Sequence, residues 1–286
     1  MDMTGAVGAL LFILGAPFAG GLLAGVDRII TARMQGRIGP PVLQPFYDVG
    51  KLFQKSRLVV NLYQGFYVWG FLAFSLVAGT LFFSGGDLLL AVFALAVAGV
   101  FLALGAFSAN TPYSHIGAER ELLQMMAYEP MLLVAVLGLY QSTGSFLVRD
   151  ILASDRPLLI DLPGVFLGFL LVLTIKLRKS PFDLSTSHHG HQEIVKGITT
   201  DYSGPDLALI EIAHWYENVL LLGFVFLFFV PLHPVLGIAL ALGAYLLEVF
   251  IDNTHARLRW QHTVKISWWT GATLGLANLA FLDLIR

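Results

Sequence analysis

The residues of this chain that could do chemistry are acids and histidines set inside or beside long apolar runs. Glu129 falls within the run from Leu122 to Tyr140, and Glu211, His214 and Glu217 follow one another at intervals of three. A carboxylate held in hydrocarbon is costly unless it is paired or neutral, so each such acid is a candidate functional group. Residues three apart lie along one side of a helix, so the Glu-His-Glu row could pass protons, with histidine titrating near neutral pH. Glu248 sits late in another apolar run. Each has a plainer reading: Glu129 as a hydrogen-bonded neutral acid beside Pro130, the row as a static polar seam, Glu248 as an ion pair with Arg257 or Lys265.

A second group occupies a polar loop that opens with Lys179-Ser180-Pro181-Phe182-Asp183-Leu184 and holds His188, His189, His191, Glu193 and Asp201. The histidine spacing resembles a metal site only superficially, because no thiolate accompanies it. A titratable surface whose charge responds to a docked partner is the better expectation. A third group, basic but for Asp48, presents docking candidates: Arg33, Arg37, Asp48 and Lys51 near the first apolar run, and Arg257 and Arg259 before the last. These could equally be topology-setting charge beside an aromatic belt.

What must position these groups is a membrane. The chain is 57% hydrophobic, 13% charged and has a mean hydropathy of +0.76, outside the soluble range. Apolar windows long enough for about 30 Å of hydrocarbon run from Thr4 to Val26, Gly65 to Ser84, Leu88 to Phe107, Leu122 to Tyr140, Leu158 to Ile175, Leu207 to Val230, Val235 to Ile251 and Ile266 to Leu284. The expectation is an all-α, polytopic membrane protein with eight transmembrane helices, forming one integral membrane domain over residues 1–286. The first run lacks a basic leader and a cleavage site and is expected to stay as a helix.

With the N-terminus outside, 14 of the 17 lysines and arginines fall on inner loops, leaving Arg149, Arg156 and Arg286 outside. Both termini are then outside and the long loops cytoplasmic, in the cell membrane of a prokaryote. Pro45 to Lys55 places Phe46, Val49, Leu52 and Phe53 opposite Asp48, Lys51 and Lys55, which predicts an amphipathic helix at the inner surface. The pairs Gly21/Gly25, Gly164/Gly168 and Gly271/Gly275 have helix-packing spacing. Cysteine is absent, so an iron-sulfur cluster or nickel-iron centre could not be held by thiolates of this chain. Nothing in the composition points to nucleic acid.

Motifs add a resemblance. Arg33 to Pro41, Tyr128-Glu129, Ser180 to Leu184, Glu193 to Gly197 with Asp201-Tyr202-Ser203, and Arg257 to Trp260 together resemble the membrane subunit of respiratory complex I beside the quinone chamber. Acids that family carries around its Pro-Phe-Asp-Leu appear here as Lys176 and as the histidine-rich run from Ser187 to His191. With Glu211 to Asn218, this is more similar to the corresponding subunit of energy-converting nickel-iron hydrogenases. The resemblance implies partners: nickel-iron hydrogenase large and small subunits, a ferredoxin-type iron-sulfur subunit, and an antiporter-like membrane subunit. The nickel-iron centre and clusters would reside in those partners, with no cofactor in this chain. The implied role is to couple ferredoxin-linked proton reduction or hydrogen oxidation to proton or sodium transport. The alternatives are a quinone-site subunit of an NADH:quinone oxidoreductase, a free-standing ion carrier, and a purely structural anchor.

Overall fold

A computed structural model describes residues 3–58, 60–186, 196–230 and 233–285. His188, His189, His191 and Glu193 lie outside the described residues. The first helix, α1 (Met3–Met34), is followed by the amphipathic α2 (Gln44–Gln54), then α3 (Gln64–Phe83), α4 (Leu88–Phe107) and α5 (Pro112–Thr143). Two short turns, α6 (Val148–Leu152) and α7 (Leu158–Asp161), precede α8 (Pro163–Lys176), α9 (Gly204–Leu227) and α10 (Pro234–Thr254). The last helical stretch is continuous in three pieces: α11 (Trp260–Thr270), a π-helical turn (Gly271–Leu276) and α12 (Ala277–Ile285). Among the described residues there is no strand, only an isolated bridge between Asp87 and Leu147.

Among the described residues six helices are long and apolar enough to cross a membrane: α1, α3, α4, α5, α9 and α10. The other two expected spans differ in build. Pro163 has no N–H and starts a new helix, so the Leu158–Ile175 window divides into α7 and α8, the latter only 14 residues. The Ile266–Leu284 window begins earlier, at Trp260, and changes hydrogen-bond register over Gly271–Leu276. Several helices also outrun their apolar windows: α1 continues to Met34, and α5 begins at Pro112. These polar extensions carry Asp27, Arg28 and Glu121 into ordered helix.

Proline inside a spanning helix frees the carbonyl four residues back, and hydrocarbon offers that carbonyl nothing. Both cases are met by an aromatic donor from a neighbouring helix. Pro17 frees Ile13 O, which accepts from the Tyr216 hydroxyl at 2.7 Å. Pro130 frees Met126 O, which accepts from Trp268 Nε1 at 3.1 Å, while the Ser267 hydroxyl donates to Ala127 O one residue on. The packing also depends on glycine. A Cβ at Gly25 would strike the Val42 backbone, and one at Gly164 would strike Leu274 O.

The helix α2 packs against α1 and the first half of α9, with the Phe46 ring 5.2 Å from that of Trp215. Asp48 ties it to α1 through Arg28 at 2.5 Å. Burial alone would raise the Asp48 pKa, but hydrogen bonds from Arg28 and Gln44 and the nearby Lys51 charge outweigh it and hold it below 3.8. At this α2 end of the bundle the candidate site is assembled.

Candidate functional site

The site is organised by the turn after α8, Lys176-Leu177-Arg178-Lys179-Ser180-Pro181-Phe182-Asp183. Cations at a helix C-terminus are favoured by its dipole. The helix cannot continue through Pro181, and Arg178 takes a left-handed conformation with φ of 54°. The three neighbouring cations therefore diverge toward different helices.

Lys176, at the end of α8, reaches back into the bundle. Its Nζ lies 3.2 Å from Glu217 Oε1 on α9, both side chains less than a tenth exposed, and 5.1 Å above the Tyr128 ring on α5. Arg178 bridges α5 and α9, with Nη2 3.4 Å from Glu121 Oε1 and Nη1 2.8 Å from His214 Nε2. Lys179 turns the other way, to Asp27 Oδ2 on α1 at 2.5 Å and Asp252 Oδ2 on α10 at 3.2 Å. Burial opposes its charge, yet these two carboxylates raise its pKa above the usual lysine value. The Ser180 N–H donates to Asp252 Oδ1 at 2.8 Å. Asp183 faces Arg257 at 3.7 Å, Leu258 N donates to Pro181 O at 3.0 Å, and the Gln124 amide donates to Phe182 O. One turn thus gathers α1, α5, α9, α10 and the approach to α11.

The state of His214 follows from its neighbours. A guanidinium can only donate, so Nε2 accepts from Arg178 and the ring proton sits on Nδ1, which donates to Glu217 Oε2 at 3.0 Å. A proton arriving at Nε2 would have to expel Arg178. Glu121, Arg178, His214, Glu217 and Lys176 form one connected string.

The candidate proton-path residues are not all in that string. His214 and Glu217 are. Glu129 sits near the middle of α5, about 12 Å along the axis from Glu121; Lys176 is the cation that faces it, and its Oε1 is buried without a hydrogen-bond partner. Glu211 shares the α9 face but makes no ion pair among the described residues. Glu248 is fully buried on α10, beside the Thr174 hydroxyl of α8. The groups facing it are Thr174, Lys179 and Asp252; Lys179 makes its ion pairs with Asp27 and Asp252, and among the described residues Glu248 makes none, with Arg257 and Lys265 included.

Of the loop candidates, Asp183 belongs to the turn itself. Asp201 accepts from both Thr111 and Ser114 through Oδ2, which fastens the loop to the start of α5 and makes it an anchor. Of the docking candidates, Arg33, Arg37, Lys51 and Arg259 are exposed, Asp48 is engaged with Arg28, and Arg257 is half-buried against Asp183 and Leu184 O. Among the described residues no three His, Asp or Glu side chains gather as metal ligands would. Sequence reasoning missed Glu121, Asp27, Asp252, Arg178 and Lys179 as members. The available signal was the Lys-x-Arg-Lys triplet closing an apolar helix, which needs carboxylates to be stable there.

The family model described as NADH dehydrogenase matches residues 7–283. Hydrogenase-4 component C of Escherichia coli (strain K12) is 29% identical over 277 residues, covering 86% of this chain and 86% of that protein. An NADH-quinone oxidoreductase subunit of Dehalococcoides mccartyi (strain CBDB1) is 28% identical over 283 residues, covering 89% of this chain and 79% of that protein. A chain in the structure of the membrane-bound sulfane sulfur reductase, an archaeal respiratory membrane complex, superposes with a TM-score of 0.85 at 24% identity, covering 97% of this chain and 99% of that one.

Proposed function

The chain belongs to the NADH dehydrogenase family, whose members similar to it are membrane subunits of multisubunit oxidoreductases, and from that premise we propose that it serves an ion-translocating, energy-converting hydrogenase. In this reading α7–α8 and α11–α12 complete eight crossings, both termini face outward and the α2 end faces the cytoplasm. A soluble arm of nickel-iron large and small subunits and a ferredoxin-type iron-sulfur subunit docks there, with an antiporter-like subunit alongside. Redox centres stay in the partners.

The observation that carries the reading is the string from Glu121 through Arg178, His214, Glu217 and Lys176 toward Glu129, beginning at the face where a partner would sit. A charge change at that face alters the proton occupancy of His214. Protonation at Nε2 displaces Arg178 toward Glu121, loosens the turn, and changes the field that Lys176 and Glu217 exert on Glu129. Lys176 favours hydrogenase over quinone reductase, because it stands where the quinone-chamber subunits carry an acid and is already committed to Glu217. The similarities to hydrogenase-4 component C and to the NADH-quinone oxidoreductase subunit are equal in degree, so the choice rests on Lys176.

Two measurements test this. Co-purification should bring down a nickel-iron large subunit; flavin- and NADH-binding subunits in its place would overturn the hydrogenase assignment. In vesicles, Glu129→Gln should stop ion pumping while the soluble arm still makes hydrogen from an artificial donor. Undiminished pumping would remove Glu129 from the path.

A further inference from the structure

Glu248 stands apart from the string that runs from Glu121 to Glu129. It is 0% exposed on α10 and lies beside the Thr174 hydroxyl of α8. That hydroxyl has one proton and donates it to Leu170 O at 3.0 Å. Toward Glu248 it therefore presents only lone pairs. A carboxylic acid can donate to such an oxygen, whereas a carboxylate would face it with no proton between them. A metal cation would need further ligands, and among the described residues no three His, Asp or Glu side chains gather to supply them. The chemistry left for this pair is that of a bound proton.

The two directions along the helices differ sharply. Toward the α2 end the next residue on the same face of α10 is Asp252, four positions on and about 6 Å along the axis. It accepts from Lys179 Nζ at 3.2 Å and from the Ser180 N–H at 2.8 Å, and Lys179 also reaches Asp27 of α1. The Asp252 and Asp27 side chains are 14% and 20% exposed, so this end of the cluster meets water.

In the other direction there is no polar route. One turn beyond Glu248, the Tyr245 hydroxyl donates to Leu23 O at 3.4 Å. Past it, α10 has no polar side chain back to Pro234, and α8 has none from Thr174 back to Pro163. Between α1, α9 and α10 lies a cavity of about 730 Å³ lined by groups such as Leu22, Leu222, Phe226 and Leu242, with Tyr245 its one polar side chain. A cavity so lined holds no chain of water. The groups facing Glu248 come from α8, from the turn after it and from α10; none of the charges of α9 is among them.

We propose that Glu248 is a proton-binding site that fills and empties from the α2 side alone, in exchange with the Lys179 ammonium. At rest Glu248 is a carboxylic acid donating to Thr174, and Lys179 sits between the Asp27 and Asp252 carboxylates. In the exchange Lys179 leaves Asp252 for Glu248, the Glu248 O–H bond breaks, and the proton passes to Asp252, which meets water. One proton moves between two carboxyls and the net charge of the cluster is unchanged. Glu248 then carries no ion across the membrane; it stores one proton whose presence records where the turn after α8 has placed Lys179. The inference holds whichever redox partner docks.

The test is infrared spectroscopy of the purified complex, with the carboxylic-acid band of Glu248 identified as the difference from Glu248→Gln. Thr174→Val should keep that band but shift it to higher wavenumber, because the acid loses its acceptor, and Thr174→Ser should leave it in place. Asp252→Asn should abolish the band at neutral pH, since Lys179 then turns to Glu248. Lys179→Met should preserve it into the alkaline range, which gives a second reading should the Asp252 variant fail to fold. In sealed vesicles holding the complex in one orientation, a pH step on the α2 side should change the band and the same step on the far side should not. A parent without the band, or a band unmoved by Thr174→Val and by both charge variants, overturns the proposal. A response to the far side overturns it in favour of a through-path, and loss of the band on adding sodium at constant pH and ionic strength overturns it in favour of a metal cation. Because no reading depends on hydrogen turnover, failure here leaves the hydrogenase assignment standing, and failure of that assignment leaves this one standing.

Discussion

Replacing Lys176 by methionine isolates the most buried ion pair of the site. The two side chains are 6% and 7% exposed at a separation of 3.2 Å. Breaking such a pair costs about 3–5 kcal/mol, because one charge is left in a medium that cannot solvate it. Lys176→Met should fall at the lower end, since Glu217 keeps the bond from His214 Nδ1. Glu217→Gln leaves Lys176 chiefly the Tyr128 face 5.1 Å away, whose attraction of about 2 kcal/mol when desolvated offsets part of the loss. In the double variant both charges are gone and the volumes are nearly kept, so stability should return to within about 1 kcal/mol of the parent. The coupling energy of the cycle is then several kcal/mol, far above the few tenths expected of independent sites.

The assay has two readouts. Thermal or denaturant stability of the purified complex gives the cycle, and ions pumped per hydrogen formed in vesicles gives the coupling. A pair that only staples α8 to α9 recovers both in the double variant. A pair on the proton path recovers stability alone. If Lys176→Met/Glu217→Gln is destabilised by the full sum of the single changes, the argument from burial is wrong; if it pumps like the parent, the pair is no part of the path.

Tyr216→Phe should destabilise by about 1–3 kcal/mol, because Ile13 O loses its donor beside Pro17; the loss should shrink in a Pro17→Ala background, where the new N–H serves that carbonyl, and additive losses would refute the account. Glu248→Gln should remove an infrared carbonyl band of a protonated carboxylic acid while leaving the assembly intact; an unchanged spectrum would show that Glu248 is ionised or silent. For Asp48, whose folded pKa lies below 3.8, the stabilisation from Arg28 is fully present above that value and lost as pH falls through the lowered one. The hydrogen-exchange protection of Gln44–Gln54, taken relative to the intrinsic amide rate at each pH, should therefore fall only below pH 3.8 in the parent, and be low already at neutral pH in Asp48→Asn; identical protection profiles would remove the tether.

The sequence was legible where physics is local. Six continuous apolar runs became six helices, and Pro45 to Lys55 became α2, since spanning length and amphipathic period are properties of adjacent residues. It was less legible at helix ends and registers. Hydropathy stops where polar residues begin, whereas α1 runs on to Met34, before the turn at Gly36. Nor does hydropathy see a hydrogen-bond register, so the π turn at Gly271–Leu276 was silent. In the site, the acids in apolar runs were visible one by one but their partners were not. Lys179 meets Asp27 at a separation of 152 residues, Lys176 meets Glu217 at 41, and Arg178 meets Glu121 at 57. The Lys-x-Arg-Lys triplet looked like orientation charge because only the fold shows which way each cation points.

That direction is set by one residue's backbone. Were Arg178 right-handed, the triplet would extend the helix and Lys176 and Lys179 would sit nearly on one face, competing for the same acids. The left-handed turn, unfavourable by about 1–2 kcal/mol for a non-glycine residue, instead gives each cation its own carboxylates on separate helices. With Arg257 on Asp183, four cations face Glu121, Glu217, Asp27, Asp252 and Asp183, and Glu129 and Glu248 stand beyond them outside any ion pair among the described residues. Among these named residues carboxyls outnumber cations, and an acid away from water without a counter-charge is neutralised by binding a proton or by capturing a cation. Lys176 faces Glu129 and Lys179 faces Glu248, so each surplus acid lies beside a cation that already has another partner. On the proposed reading, an event that draws either lysine away from its present carboxylate would change which acid holds the proton, and the one turn of chain that carries both lysines would couple the two exchanges to a partner on the α2 end.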